Sequence, residues 1–210
     1  MEKSLNNLRS EIVKICHLLC SLGHVVATSG NVSVREGNTI LITPTQTRKD
    51  TIKPEQIVAC DLDGTPLDRN QKPSSEITMH RAAYGKRDDI RAAIHAHCPY
   101  CTVCTINNTS LEDILIAEQV IYTGPAPTVP YAMPGSPEQA AAVEPYLADH
   151  NSMLLERHGV LVLGKDLAEA LNRMEQLEHA ARIAYMANVG GTPKPLSAKD
   201  VEKLIRRTST

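Results

Sequence analysis

The chain has 210 residues, a formal net charge of −2 at pH 7 and 42% hydrophobic residues. So even a balance provides no basic field for a nucleic-acid backbone or an anionic membrane, and the expected partner is a small molecule. No apolar run approaches the roughly 20 residues that cross a bilayer, and the opening segment is charged throughout without a signal-type apolar stretch, so a soluble cytoplasmic protein is expected.

The length suits one domain, expected over 1–210. Six cysteines without a secretory signal are expected as reduced thiols, and with neither Trp nor Phe the core must be aliphatic. Leu5, Leu8, Ile12, Ile15, Leu19 and Leu22 recur at three- and four-residue steps and predict one face of an opening helix that stops at Gly23. A polar turn at 28–31 precedes alternating Val32 and Val34, then a strand over 39–43, and Ile57–Cys60 reads as a strand entering a tight turn at Asp63-Gly64. After Pro73, Ser74 or Ser75 is expected to cap a helix reaching about Gly85, with Glu76 in its first turn.

Residues 92–97 predict a short strand, and Pro99 opens another helix. Ser136-Pro137-Glu138 has Ser at the cap and Pro at the first helical position, predicting a helix to about Asp149. Two apolar segments, 152–156 and 160–163, flank the polar triplet Arg157-His158-Gly159. Asp166 and Glu169 resemble a capping pair for a long helix to about Asn188, closed by Gly190-Gly191. A linker (190–196) and a short helix (197–207), expected to fray at 208–210, complete the chain. Strands mixed with helices in one domain predict a layered α/β sheet covered by helices.

His95 and His97 lie two apart on a predicted strand, so both imidazoles leave one face and can converge on an ion. For a bare pair of this kind a hydrogen-bonded structural role is an equal alternative. His158, followed by a glycine that lets backbone approach closely, is the candidate third ligand, and three neutral imidazoles leave the open position that a catalytic zinc requires. The other histidines read as structural or solvated, although His80, one helical turn from Glu76, is placed to line the same pocket. Cys98, Cys101 and Cys104 have iron–sulfur-like spacing but no Cys follows Cys104, so they read as one buried helical stripe. Glu76 is the candidate acid/base, against a plain first-turn glutamate. Ser29-Gly30-Asn31, Thr45, Ser74 and Ser75 offer donors on turns; converging, they would make a phosphate pocket, and singly each is an ordinary cap or turn.

At these residues the sequence resembles the class II aldolase/adducin family. The matches run in order through Ser29-Gly-Asn-Val-Ser33, Ile42-Thr-Pro-Thr45, Lys72-Pro-Ser-Ser-Glu76 with Met79-His80, His95-Ala-His97, Pro130-Tyr131 and Arg157-His-Gly159. The resemblance implies a three-layer α/β/α fold whose mainly antiparallel central sheet is covered by helices on both sides. It also implies a homotetramer with active sites at subunit interfaces. His95, His97 and His158 would then bind Zn2+, with Mn2+ or Co2+ able to fill the same site. Ser29, Gly30, Asn31, Thr45, Ser74 and Ser75 would bind the substrate phosphate, Glu76 would be the acid/base, and Tyr131 is a candidate second acid, Tyr122 an alternative to it. Two departures stand out: Gln46 replaces a Gly found after Thr-Pro-Thr in fuculose-phosphate members, and Ile116 falls where an interface tyrosine is expected.

The implied activity is reversible cleavage of a phosphorylated ketose, such as L-fuculose 1-phosphate, into dihydroxyacetone phosphate and an aldehyde through a metal-stabilised enediolate. Glu at position 76, where related 4-epimerases have Asp, favours cleavage. Decarboxylation of a phosphorylated 3-oxo sugar acid, 4-epimerisation and dehydration are alternatives on the same scaffold. A non-catalytic adducin-like interaction module is the alternative of a different class.

Overall fold

The computed structural model describes residues 2–208. Its strands are β1 (Asn31–Glu36), β2 (Thr39–Ile42), β3 (Val58–Cys60), β4 (Ala92–Ala96), β5 (Thr128–Val129), β6 (Ser152–Leu155) and β7 (Gly159–Gly164). The helices are α1 (Glu2–Ser21), α2 (Ile77–Lys86), α3 (Pro99–Ile106), α4 (Pro137–Val143), α5 (Leu167–Gly190) and α6 (Ala198–Thr208). The strands form one sheet in the order β3-β2-β1-β4-β7-β6-β5. Every pairing is antiparallel except β5 with β6.

Both faces of the sheet are covered, which is why its strands read as near-continuous apolar runs. Val32, Val34, Ile94, Ala96, Val160 and Val162 point to one side, where they pack with Ile12, Cys16 and Leu19 of α1, the α3 cysteines, and Met174, Leu177 and Ala181 of α5. Ile40, Ile42, Ala93, Leu161 and Leu163 point to the other, against Met79, Ala83 and Tyr84 of α2 and Val143 just before Leu147. The result is the three-layer arrangement of helices, mainly antiparallel sheet and helices. Burying each Leu or Ile contributes about 1.5–3 kcal/mol, so an aliphatic core without Phe or Trp is sufficient if it is filled.

The capping signals identify most helix starts. Ser136 accepts a hydrogen bond from the Gln139 N–H at 3.3 Å, and Asp166 accepts one from the Glu169 N–H at 2.7 Å. Four expectations are corrected. Ser74 and Ser75 do not cap α2; Glu76 occupies that position without a side-chain cap bond, because its carboxylate is drawn into the buried site. The helix expected to reach Asp149 ends at Val143 and continues as a 3-10 turn over Glu144–Tyr146, since Pro145 has no N–H to extend an α-helical ladder. β4 stops at Ala96, so His97 lies one residue beyond the strand. Leu22 lies past the end of α1 and is 43% exposed rather than part of its apolar face. Two-residue β5, between Pro127 and Pro130, was too short to show in the sequence. Of the expected fraying at the end, Ser209 and Thr210 lie outside the described residues.

Candidate metal and acid/base site

The register of the sheet assembles the polar centre. Asn31 of β1 pairs with His95 of β4, and His95 in turn lies opposite Leu161 of β7. Alternation sends Asn31, Ser33 and His95 to the side facing α2, into an otherwise apolar layer. His97 follows immediately and is held by its N–H, which donates to the His24 carbonyl at 3.0 Å. His158 arrives at the tip of the β6–β7 hairpin. There Arg157 takes a positive φ of 55°, with its N–H donating to the Thr105 hydroxyl at 2.9 Å. Gly159 is required beside it, because a Cβ there would stand 2.2 Å from the Ala96 carbonyl oxygen.

The three imidazoles therefore come from a strand, its extension and a distant hairpin, and each can offer a ring nitrogen, all within 4.8 Å of one another. The Nε2 atoms of His95 and His97 are 3.1 Å apart. Two ligands about 2.0–2.1 Å from a tetrahedral zinc stand roughly 3.3 Å apart, so this pair fits one ion. The His95 Nδ1–H donates to the Val160 carbonyl at 2.8 Å, which turns its Nε2 lone pair toward the cluster. Burial, above all, lowers the basicity of all three, His158 to about 4, so at neutral pH they stand as neutral donors suited to a divalent metal.

Glu76 lies against this cluster, its Oε2 at 3.3 Å from His95 Nε2 and its Oε1 at 3.6 Å from His158 Nε2. The carboxylate accepts hydrogen bonds from Asn31 Nδ2 at 2.9 Å and Gln139 Nε2 at 2.8 Å. Burial pushes its pKa upward, but His95, the Gln139 bond, His158 and the Asn31 bond together outweigh that and hold it at about 2. It is thus ionised at neutral pH.

The candidate anion-binding turns are neighbours. The Thr43 N–H donates to the Val32 carbonyl at 3.1 Å while its hydroxyl accepts from the Val32 N–H at 3.3 Å, the Thr45 N–H donates to the Lys72 carbonyl at 3.2 Å, and the Ser74 N–H donates to the Thr43 carbonyl at 3.0 Å. Gly30, at φ 68°, leaves no room for a side chain between Val25 and the His95 carbonyl. Ser29 spends its hydroxyl on the Val26 carbonyl, Ser74 accepts from the Glu76 N–H, and Ser75 is exposed beside Gly135. Asn31 points its amide inward to Glu76 rather than outward. Gln46 adopts φ 52°, a left-handed conformation that favours glycine and costs a side-chain-bearing residue about 1 kcal/mol or more.

Several contributors had no sequence motif. Lys49 is 2% exposed and donates from Nζ to the Thr28 and Thr47 carbonyls, clamping two of the turns together. Gln139 and Tyr84 are likewise drawn to the site, where they meet His80 and Ser33 of the family motifs. For His80 and Tyr84 a signal existed, since positions 76, 80 and 84 share one face of a helix. Tyr131 lies on the loop beside His158, half-exposed at 55%, while Tyr122 sits in the π-turn against α5. His17 and His150 merely contact backbone carbonyls. The cysteines are all free; Cys98, Cys101 and Cys104 form the expected buried stripe, Cys98 donating toward Met174 Sδ at 3.3 Å.

Comparison with known proteins gives a consistent picture. The model of the class II aldolase and adducin N-terminal domain matches residues 10–185. An L-fuculose phosphate aldolase of Methanococcus maripaludis is 37% identical over 179 residues, 85% of this chain and 96% of that protein. A 5-deoxy-D-ribulose 1-phosphate aldolase of Bacillus thuringiensis serovar kurstaki is 32% identical over 97% of this chain and 96% of its own length. A 3-oxo-tetronate 4-phosphate decarboxylase of Haemophilus influenzae is 33% identical over 78% of this chain and 80% of its own. Among solved structures, an L-fuculose 1-phosphate aldolase superposes with a TM-score of 0.91 at 29% identity, covering 97% of both chains.

Proposed function

Since the chain belongs to the class II aldolase and adducin family, we propose that it is a zinc-dependent lyase that reversibly cleaves a phosphorylated ketose, such as L-fuculose 1-phosphate, into dihydroxyacetone phosphate and an aldehyde. Family membership itself supports a metal-dependent aldolase-type lyase; the zinc, the ketose and the residue roles are the further steps. The observation that carries them is the convergence of His95, His97 and His158 with the ionised Glu76 carboxylate 3.3 and 3.6 Å from two of the rings.

His95, His97 and His158 would hold the ion. When bound, zinc supplies Lewis-acid polarisation of the ketose carbonyl and offsets the negative charge of the enediolate left by carbon–carbon scission. Glu76 exchanges the proton at the enediolate carbon, giving it in cleavage and taking it in condensation. The turns at Ser29-Gly30-Asn31, Thr45 and Ser74-Ser75 receive the substrate phosphate, and the buried Lys49 ammonium that holds two of them together favours an anion there. Tyr131 is assigned as second acid, giving its proton to the aldehyde oxygen in condensation and taking the hydroxyl proton back in cleavage. We further propose a cytoplasmic homotetramer with sites completed at subunit interfaces, in which a neighbouring subunit would cover the exposed Tyr131 and Met133.

A decarboxylase of phosphorylated 3-oxo sugar acids is the second reading, favoured by the Haemophilus relative and by the shared need for an enediolate. A panel of ketose 1-phosphates and 3-oxo acid phosphates, assayed with and without added zinc for aldehyde and carbon dioxide, tests both. Zinc-dependent aldehyde release from a ketose 1-phosphate is expected. Carbon dioxide release alone would transfer the assignment to the second reading.

A further inference from the structure

We infer that His80 is a positioning residue for Glu76, fixing which way the Asn31 amide faces, while Ser33 and Tyr84 hold the His80 ring in the orientation this requires. The inference rests on the proton-transfer role proposed for Glu76.

Helix α2 sets His80 and Tyr84 four residues apart, in line with Glu76 at its start, and β1 sets Asn31 and Ser33 two apart on the strand face toward them. All five are buried, between 0% and 8% exposed, so solvent does not replace a missing partner. They are joined in one unbroken series. Asn31 Nδ2 donates to Glu76 Oε2 at 2.9 Å, and Asn31 Oδ1 faces His80 Nε2 at 2.5 Å. His80 Nδ1 faces the Ser33 hydroxyl at 2.6 Å, and Ser33 meets the Tyr84 hydroxyl at 2.6 Å.

Only one placement of protons satisfies the neutral chain when Glu76 accepts from both the Asn31 and the Gln139 amide. A carboxylate accepts and does not donate, so it must face the amide NH2 of Asn31, which leaves the amide oxygen toward His80. His80 must then donate from Nε2, its Nδ1 must accept from Ser33, and Ser33 in turn accepts from Tyr84. With an apolar side chain at position 80, the Asn31 amide would lose the partner that holds its oxygen away from Glu76, and the carboxylate would lose a fixed donor. Gln139 is steadied in a similar way on the opposite side, where the Gly135 N–H donates to its Oε1 at 2.8 Å. Glu76 is therefore clamped by two amides, and His80 orients one of them.

Nitrogen-15 long-range correlation spectra of the full-length protein should show His80 protonated at Nε2 alone; protonation at Nδ1 would overturn the inference. Solvent-deuterium exchange into dihydroxyacetone phosphate by the zinc-loaded protein provides the second readout. His80→Phe should keep bound zinc and a KM within about twofold while slowing exchange about 10- to 100-fold, the range for residues that orient a reacting group through another. His80→Gln, whose amide can still donate to Asn31, should stay within about threefold of the unmodified protein. Phe and Gln variants equally slow, or His80→Phe at the unmodified rate, would contradict it. Should His80→Phe not fold, Ser33→Ala removes the partner of Nδ1 without a large cavity; the ring should stay protonated at Nε2, which Asn31 Oδ1 requires, but lose its fixed orientation and slow exchange, and an unmodified exchange rate would overturn the role given to Ser33. Glu76→Gln run in parallel separates the premises: unmodified exchange in that variant removes the role of Glu76 and leaves the tautomer result to decide His80.

Discussion

On the side of the sheet facing α1, α3 and α5, the buried layer is aliphatic and thiol-bearing, and its main polar member, Glu178, serves the backbone by accepting from the Tyr100 and Cys101 N–H groups at 2.9 Å each. On the side facing α2 and α4, the same sheet buries Asn31, Ser33, His80, His95 and Glu76, each tied to specific atoms of the others. The first face tolerates changes of shape because nondirectional packing holds it. The second depends on which atom donates and which accepts. Stability and reactivity are thus divided between faces, and mutations should divide with them.

The largest effect is expected on the polar face. Glu76→Gln should slow proton exchange into dihydroxyacetone phosphate by about 10²- to 10⁴-fold, as removal of a general acid/base does, with a moderate drop in melting temperature because one of the two amides that donate to the carboxylate loses its acceptor. Exchange followed by NMR beside a thermal melt checks both halves. A large melting shift with modest loss of rate would erase the division. Leu177→Ala on the opposite face, where the side chain is fully buried, should cost about 2–5 kcal/mol in denaturant unfolding and leave the turnover of folded molecules unchanged.

Acid should act on the polar face as well. His80 and His158 are depressed to about 3 and about 4 from an ordinary 6.5, chiefly by burial. The unfolded chain therefore takes up protons first. Their contribution is complete above pH 6.5 and falls as the pH drops through the window toward 4 and 3. Glu76, held at about 2 against an ordinary 4.5, adds a second loss below pH 4.5. Urea unfolding of metal-free protein at a series of pH values should show stability declining from pH 6.5 downward; a flat profile to pH 4 would argue against neutral buried histidines. Ser136→Ala should have the smallest effect, about 1 kcal/mol from loss of the α4 cap. Because that cap holds the Gln139 N–H, a small loss of rate in the exchange assay should accompany it.

The same division governs what the sequence could reveal. Apolar patterning located α1, β1, β2, β6 and β7, and capping residues located the starts of α4 and α5, because those signals are local. The ligand pair His95 and His97 was visible from spacing, whereas His158 and Glu76, candidates from their local context, outweighed the plainer structural reading only through the ordered family motifs. Gln139, Lys49 and Tyr84 were not identified, and His80 and Ser33 were seen only as a pocket-lining histidine and a motif member, since β-sheet register and the packing of α2 and α4 join them from distant positions. Glu76, expected as a residue of the first helical turn, instead stands at the cap with its carboxylate turned inward, a choice made by tertiary hydrogen bonds rather than helix preference.

The most direct test of the account is the metal content of the purified chain after equilibration with zinc and removal of free ion. The polar face described here predicts about one zinc per chain, retained in Glu76→Gln and lost in His158→Ala, whose ligand comes from the hairpin farthest along the sequence from His95 and His97. Full zinc binding by His158→Ala would contradict it.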